Sequence, residues 1–166
     1  MKKITLLIVA FAFSLSVSAQ TIVDTAVSNK DFSTLVTALK AADLVGALSS
    51  EGPFTVFAPN NAAFAKIDGE VLGSLLKPEN VKALSNILTY HVVSGKLLAS
   101  DVAKALKSGY GKAELTALNG QKFTATSKDG KIYLKDSNGT MSQIIATDVV
   151  GTNGVIHVID TVIMPE

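Results

Sequence analysis

The feature that most constrains this chain is its last long apolar run, residues 153–165, which reads Asn-Gly-Val-Ile-His-Val-Ile-Asp-Thr-Val-Ile-Met-Pro. β-Branched and aliphatic residues dominate it, as expected of a strand buried on both faces near the middle of a sheet. Alternation puts Val155, His157, Ile159 and Ile163 on one face, with Ile156, Val158, Asp160 and Val162 on the other. Asn153-Gly154 supplies hairpin turn chemistry, with Gly154 free to take a positive φ, and Pro165 ends the strand for want of an N–H. A central strand at the end of the sequence means that the fold closes on its own terminus.

At the other end, Lys2 and Lys3 precede an apolar stretch from Ile4 to Phe13, and Val17-Ser18-Ala19 offers small residues for cleavage. Residues 1–19 are therefore expected to be a secretory signal peptide, and residues 20–166 a single exported domain. No later run has the length of a transmembrane segment. Such a protein is expected to be extracellular or periplasmic, with any surface attachment non-covalent. It contains no Cys, so it must hold together without disulfides. Past residue 19, thirteen Lys face fourteen Asp and Glu, and there is no Arg. That balance argues against nucleic acid as a partner.

Between these ends the pattern divides. Phe32, Leu35, Val36 and Leu39 recur at helical spacing behind Asn29 or Asp31 as caps, and Leu44, Ala47 and Leu48 suit a shorter helix. Residues 53–59 read as a strand bracketed by prolines. Asn60 or Asn61 caps a short helix with Ala63, Phe64 and Ile67, and Val71, Leu72, Leu75 and Leu76 form another apolar stripe. Pro78-Glu79 opens a helix burying Val81, Leu84, Ile87 and Leu88, and a short extended segment is expected at Tyr90-His91-Val92-Val93. Ser100 and Asp101 cap a further helix through Leu106. Beyond Ala113 the period becomes two, with strands expected at residues 115–118, 122–126, 131–135 and 141–148. Asn119-Gly120, Asp129-Gly130 and Asn138-Gly139 separate them as hairpin signals. With the last strand this makes an antiparallel meander, and an α+β fold overall.

Three segments, in this order, resemble the sequence marks of the fasciclin (FAS1) domain. The first is Thr55-Val56-Phe57-Ala58-Pro59-Asn60-Asn61-Ala62-Ala63-Phe64. The second is Leu88-Thr89-Tyr90-His91-Val92-Val93-Ser94-Gly95-Lys96, and the third is the terminal run. Within them Thr55, Phe57, Pro59, Phe64, Asn153, Gly154 and His157 stand as structural motif residues. Ala62 and Ser94 depart from the family, which often has an acid and a proline there. The resemblance implies a wedge of two mostly antiparallel β-sheets with a cluster of helices. It also implies a non-catalytic adhesion or matrix module whose partner is an extracellular protein or polysaccharide. Its adhesive elements would correspond here to Tyr90 and His91, and to Asp148-Val149, where Val replaces the family's Ile.

His91 and His157 could in principle serve as metal ligands or as a general base. Their positions beside apolar helix and strand residues favour satisfied core histidines instead. No catalytic, phosphate-cradling or metal-binding motif stands in the sequence, so no catalytic residue, cofactor or metal is expected. The alternative to adhesion is a carrier or sensor of a small apolar ligand held between helices and sheet.

Overall fold

A computed structural model describes residues 20–166; the expected signal peptide lies outside the described residues. Within them, seven α-helices and seven strands run in this order: α1 (Ile22–Ser28), α2 (Ser33–Ala41), α3 (Val45–Leu48), β1 (Phe54–Pro59), α4 (Asn61–Phe64), α5 (Gly69–Leu75), α6 (Val81–Tyr90), β2 (Val92–Ser94), α7 (Ala99–Ser108), β3 (Lys112–Thr116), β4 (Lys122–Lys128), β5 (Lys131–Lys135), β6 (Met141–Gly151) and β7 (Gly154–Ile159). Single 3₁₀ turns, Lys30–Phe32 and Pro78–Asn80, lead into α2 and α6.

The strands are ordered β2-β1-β7-β6-β5-β4-β3. Strand β6 is long enough to belong to two wings. Its first residues, Met141 to Gln143, pair with β5, and the stretch from Ile144 to Gly151 pairs with β7. Between Ile144 and Val149 its register with β7 shifts twice, and such bulges bend a strand and re-aim its side chains. At the far ends the wings meet again. Val93 bridges Ala117, and the Leu118 N–H donates to the Val92 carbonyl at 2.8 Å.

Two apolar cores result, one on each face of β1 and β7. Val56, Ala58 and Ile156 pack beneath the helices with Ile22, Leu35, Leu39, Phe64, Leu84 and Leu88. Phe57 and Ile159 point between the wings, toward Tyr90, Val102, Leu106, Phe123, Leu134 and Ile163. There Phe57 meets Phe123 edge to face with centroids 5.5 Å apart, and Tyr90 meets Phe123 in the same manner. The alternation expected for the terminal run is thus observed, with Ile159 and Ile163 in one core and Ile156 and Val162 in the other.

Three expectations need correcting. The last strand stops at Ile159 instead of running to Pro165, because its ladder with β1 ends where Pro59 and Ile159 face each other. Residues 160–164 go on as an irregular tail, held by side chains: Ser142 Oγ donates to the Thr161 carbonyl (2.6 Å), and the Met164 N–H donates to Asp136 (3.0 Å). Secondly, helix α6 extends through Tyr90, and His91 is its helical C-cap, so the extended segment begins only at Val92. Thirdly, Gly154 does not supply a positive φ. It faces Phe54 across the parallel β1–β7 pair, so closely that a Cβ would overlap the Phe54 carbonyl oxygen. The hairpin glycines at 120, 130 and 139 do have positive φ, between 74° and 87°.

Asn153, beside Gly154, is a staple. Its Oδ1 accepts the Ile22 N–H at 3.0 Å, and its Nδ2 donates to the carbonyls of Leu48 and Ser50, both at 2.8 Å. One amide thereby satisfies a donor at the start of α1 and two acceptors at the end of α3. Replacing Gly154 with Ala is expected to cost about 3 kcal/mol, at the upper end of core overpacking. Gly120→Ala should cost about 1 kcal/mol, for the left-handed backbone alone. Urea unfolding of the two variants measures the difference.

Candidate functional site

The residues singled out in the sequence occupy two places, one on either side of Phe57. Tyr90 and His91 are both buried. The Tyr90 hydroxyl donates to the Lys122 carbonyl at 3.0 Å, and burial pushes its phenol above the ordinary tyrosine range. His91 Nδ1 lies 2.8 Å from the Ile87 carbonyl, and its Nε2 accepts the Ile163 N–H at 3.2 Å. These partners dictate a neutral ring with its proton on Nδ1. Burial pulls the pKa from 6.5 to about 4, against a smaller opposing pull from the Ile87 carbonyl and Asp136. Neither side chain faces solvent, so direct contact of Tyr90 or His91 with a partner is not offered by this geometry. Their work is to fasten the C-terminal tail and the β3–β4 turn to the end of α6.

The second place is the entrance to α7. Thr55, buried in β1, donates its hydroxyl to the Gly95 carbonyl at 2.6 Å and accepts the Leu97 N–H at 2.8 Å. His157 stacks on Phe57 with centroids 5.5 Å apart, and its Nε2 donates to the Leu97 carbonyl at 2.7 Å. Its Nδ1 then accepts the Asp148 N–H at 3.3 Å, which fixes the opposite tautomer from that of His91. Asp148 sits in the β6 bulge with φ 58°, and its Oδ1 accepts the Ala99 N–H at 2.8 Å. It therefore caps the first turn of α7 from forty-nine residues away. Asp101 does the local part, accepting the Leu98 N–H at 3.0 Å.

Asp148 remains exposed, and among the described residues its Oδ2 has no hydrogen-bond partner. Val149 is half-buried against the helical core. Beside it an open cleft of about 480 Å³ runs between β6 and the α1–α2 connection, lined by Phe32, Asn60, Ile145, Ala146, Val149 and Val158. Ile145 is 47% exposed and Val150 54%. Sequence reasoning did not single out Ile145, although it stands in the same strand.

Between the helices and the sheet, where an apolar ligand would have to lie, the cavity measures about 20 Å³. That is room for a single water, so the expectation of a carrier enclosing a ligand there is withdrawn. Among the described residues no group of three or more His, Asp or Glu side chains is placed to hold a metal ion. No helix among them is long and apolar enough to cross a membrane.

A family model described as the Fasciclin domain matches residues 30–165. The chain belongs to the fasciclin family. It is 52% identical over 148 residues to Protein sll1483 of Synechocystis, spanning 89% of this chain and 75% of that protein. It is 33% identical over 145 residues to the transforming growth factor-beta-induced protein ig-h3 of Sus scrofa, across 87% of this chain and only 19% of that much longer one. The FAS1 domain pair of the insect cell adhesion molecule fasciclin I superposes with a TM-score of 0.75 at 19% identity. That match covers 86% of this chain and half of the other, and it establishes the fold alone. The FAS1 wedge anticipated from the sequence is thus the fold observed, its two sheets being wings that share β6.

Buried His91 gives the fasciclin core a defined acid response. His91 binds its proton less readily in the folded state than in the unfolded chain, so the unfolded state takes up more protons between pH 6.5 and about 4. Stability is complete above that window and falls as pH drops through it, by about 1.4 kcal/mol per pH unit at most. Unfolding free energies measured from pH 7 to about 5, above most carboxylate titration, should show this slope in the parent and lose it in His91→Gln.

Proposed function

We propose that this protein is a non-catalytic, exported fasciclin module that recognises an extracellular protein or polysaccharide through the bulged segment of β6. The observation that carries the reading is Asp148. One carboxylate oxygen is tied to α7, the other has no hydrogen-bond partner among the described residues, and the next residue, half-buried Val149, lines the open cleft between β6 and the α1–α2 connection. The Asp148 backbone is held in a left-handed conformation by the bulge and by His157. A non-glycine residue in that conformation costs energy, and such strain is characteristic of sites where a side chain must be presented in one direction. Ile145 and Val150, exposed on the same strand, supply apolar contact area.

Support also comes from relatives. Fasciclin I is an insect cell adhesion molecule. The apolar leader at residues 1–19 suits export. Within this reading Tyr90 and His91 position the scaffold, and Asp148 with Val149 makes the contact. A single small surface of this kind binds weakly, so display of many copies on a surface would raise the avidity.

Solid-phase binding to immobilised matrix proteins, polysaccharides and cells tests the proposal. Asp148→Asn keeps an oxygen for the Ala99 N–H while removing the charge. It should therefore unfold like the parent and bind about tenfold more weakly, the loss of one charge-assisted contact. Asp148→Ala should lose about 1 kcal/mol of stability as well, through the missing cap. Equal binding by parent and Asp148→Asn would refute the proposed contact.

A further inference from the structure

The far end of α7, roughly 15 Å along the helix from Asp148, carries a second surface of different character. Five lysines gather there: Lys104 and Lys107 on the last turns of α7, Lys112 at the start of β3, and Lys128 and Lys131 flanking the β4–β5 turn. All five are exposed. Of these five, only Lys104 has an acidic neighbour within ion-pair reach among the described residues, Asp101 at 4.0 Å. Asp129 is the single carboxylate within this tip, comprising residues 103–112 and 127–132, whereas the rest of residues 20–166 holds eight Lys against thirteen Asp and Glu. A chain of nearly balanced charge thus concentrates its positive charge at one end.

In the loop between Lys107 and Lys112 stands Tyr110, 99% exposed and with φ 53°. Both facts are costly, since the ring is fully wetted and the backbone is in the region that suits glycine. The conformation is held firmly. The Gly109 N–H donates to the Ala105 carbonyl (2.9 Å), the Gly111 N–H to the Leu106 carbonyl (2.7 Å), and the Lys112 N–H to the Gly109 carbonyl (3.1 Å). The Ser127 N–H donates to the Gly111 carbonyl at 3.2 Å, which fastens the β4–β5 hairpin to the same loop. Next to this loop, Ala103, Leu106, Gly111 and Ile132 line an open groove of about 380 Å³.

We propose that this tip docks the protein on an anionic lipid surface, with Tyr110 at the headgroup level and the five lysines facing acidic headgroups. An amphipathic ring on a rigid loop suits the boundary between headgroups and acyl chains. Each lysine near such a surface adds to the attraction, and several together suffice for reversible attachment without a membrane span. A soluble polyanion would satisfy the lysines and leave the ring and the apolar groove unused, which is why the lipid surface is the better fit. With the tip on a membrane, the Asp148 end of α7 points away from it, although the docking does not depend on the contact proposed there.

Co-sedimentation with vesicles tests the idea, using protein purified after expression of the full-length sequence. Vesicles of phosphatidylcholine alone are compared with vesicles in which part of it is replaced by phosphatidylglycerol. The protein should bind the anionic vesicles, less so as salt rises, and leave the neutral ones. The double charge reversal Lys128→Glu with Lys131→Glu should weaken binding by about tenfold or more. Tyr110→Gly, which suits the left-handed backbone, should melt no lower than the parent and yet bind vesicles several-fold more weakly. Absence of binding to anionic vesicles at low salt would overturn the proposal. So would unchanged vesicle binding in both variants, or retention of polygalacturonate without retention of vesicles, which would mark the tip as a polysaccharide site.

Discussion

The structure depends on the parallel contact between β1 and β7, two segments a hundred residues apart in sequence. Because β7 lies between β1 and β6, one strand carries both cores, with Ile156 under the helices and Ile159 between the wings. The contact is close because residue 154 has no side chain, and its edge is sealed by the amide of Asn153. Because β7 lines both cores, neither is complete until β7 is in place beside β1. The domain folds around a non-local pairing with little local structure to replace it.

From that contact the functional geometry follows. His157 is buried because β7 is central, and there its two nitrogens connect Leu97 to Asp148. Thr55, on the neighbouring strand and the same face, holds the same loop from the other side. Asp148 is thus fixed by the sheet through its N–H and by the helix it caps through Oδ1. Tyr90 and His91 perform the equivalent task on the tail. Thr55, Tyr90, His91, Asn153 and His157 are fasteners in this fold.

Much of this was legible in the sequence. The hairpins at Asn119-Gly120, Asp129-Gly130 and Asn138-Gly139 declared themselves because an isolated turn has local chemistry, and each glycine there does adopt a positive φ. The central position of β7 was legible from its apolar run, which within the strand only His157 interrupts. Its antiparallel neighbour β6 was expected from the meander, but its parallel neighbour β1 could not be read, since parallel pairing leaves no local signature. Helix α1 escaped notice because its seven residues, IVDTAVS, carry too few turns for a periodic pattern. The α6 boundary was misplaced because aromatic and β-branched residues favour strands, and tertiary burial of Tyr90 overrode that preference. Asp148 as a cap was equally invisible, since its partner Ala99 is distant in sequence. The pairing of an exposed Tyr110 with five lysines emerges only when α7 and the β4–β5 hairpin are brought to one end.

Native-state amide hydrogen exchange examines the central claim most directly. If β7 is the strand on which both cores rest, the amides of Val155 to Ile159 should exchange only by global unfolding, with protection equal to the full unfolding free energy. Exchange of those amides through smaller, local openings, while α6 or the β3–β4–β5 hairpins stay protected, would contradict it.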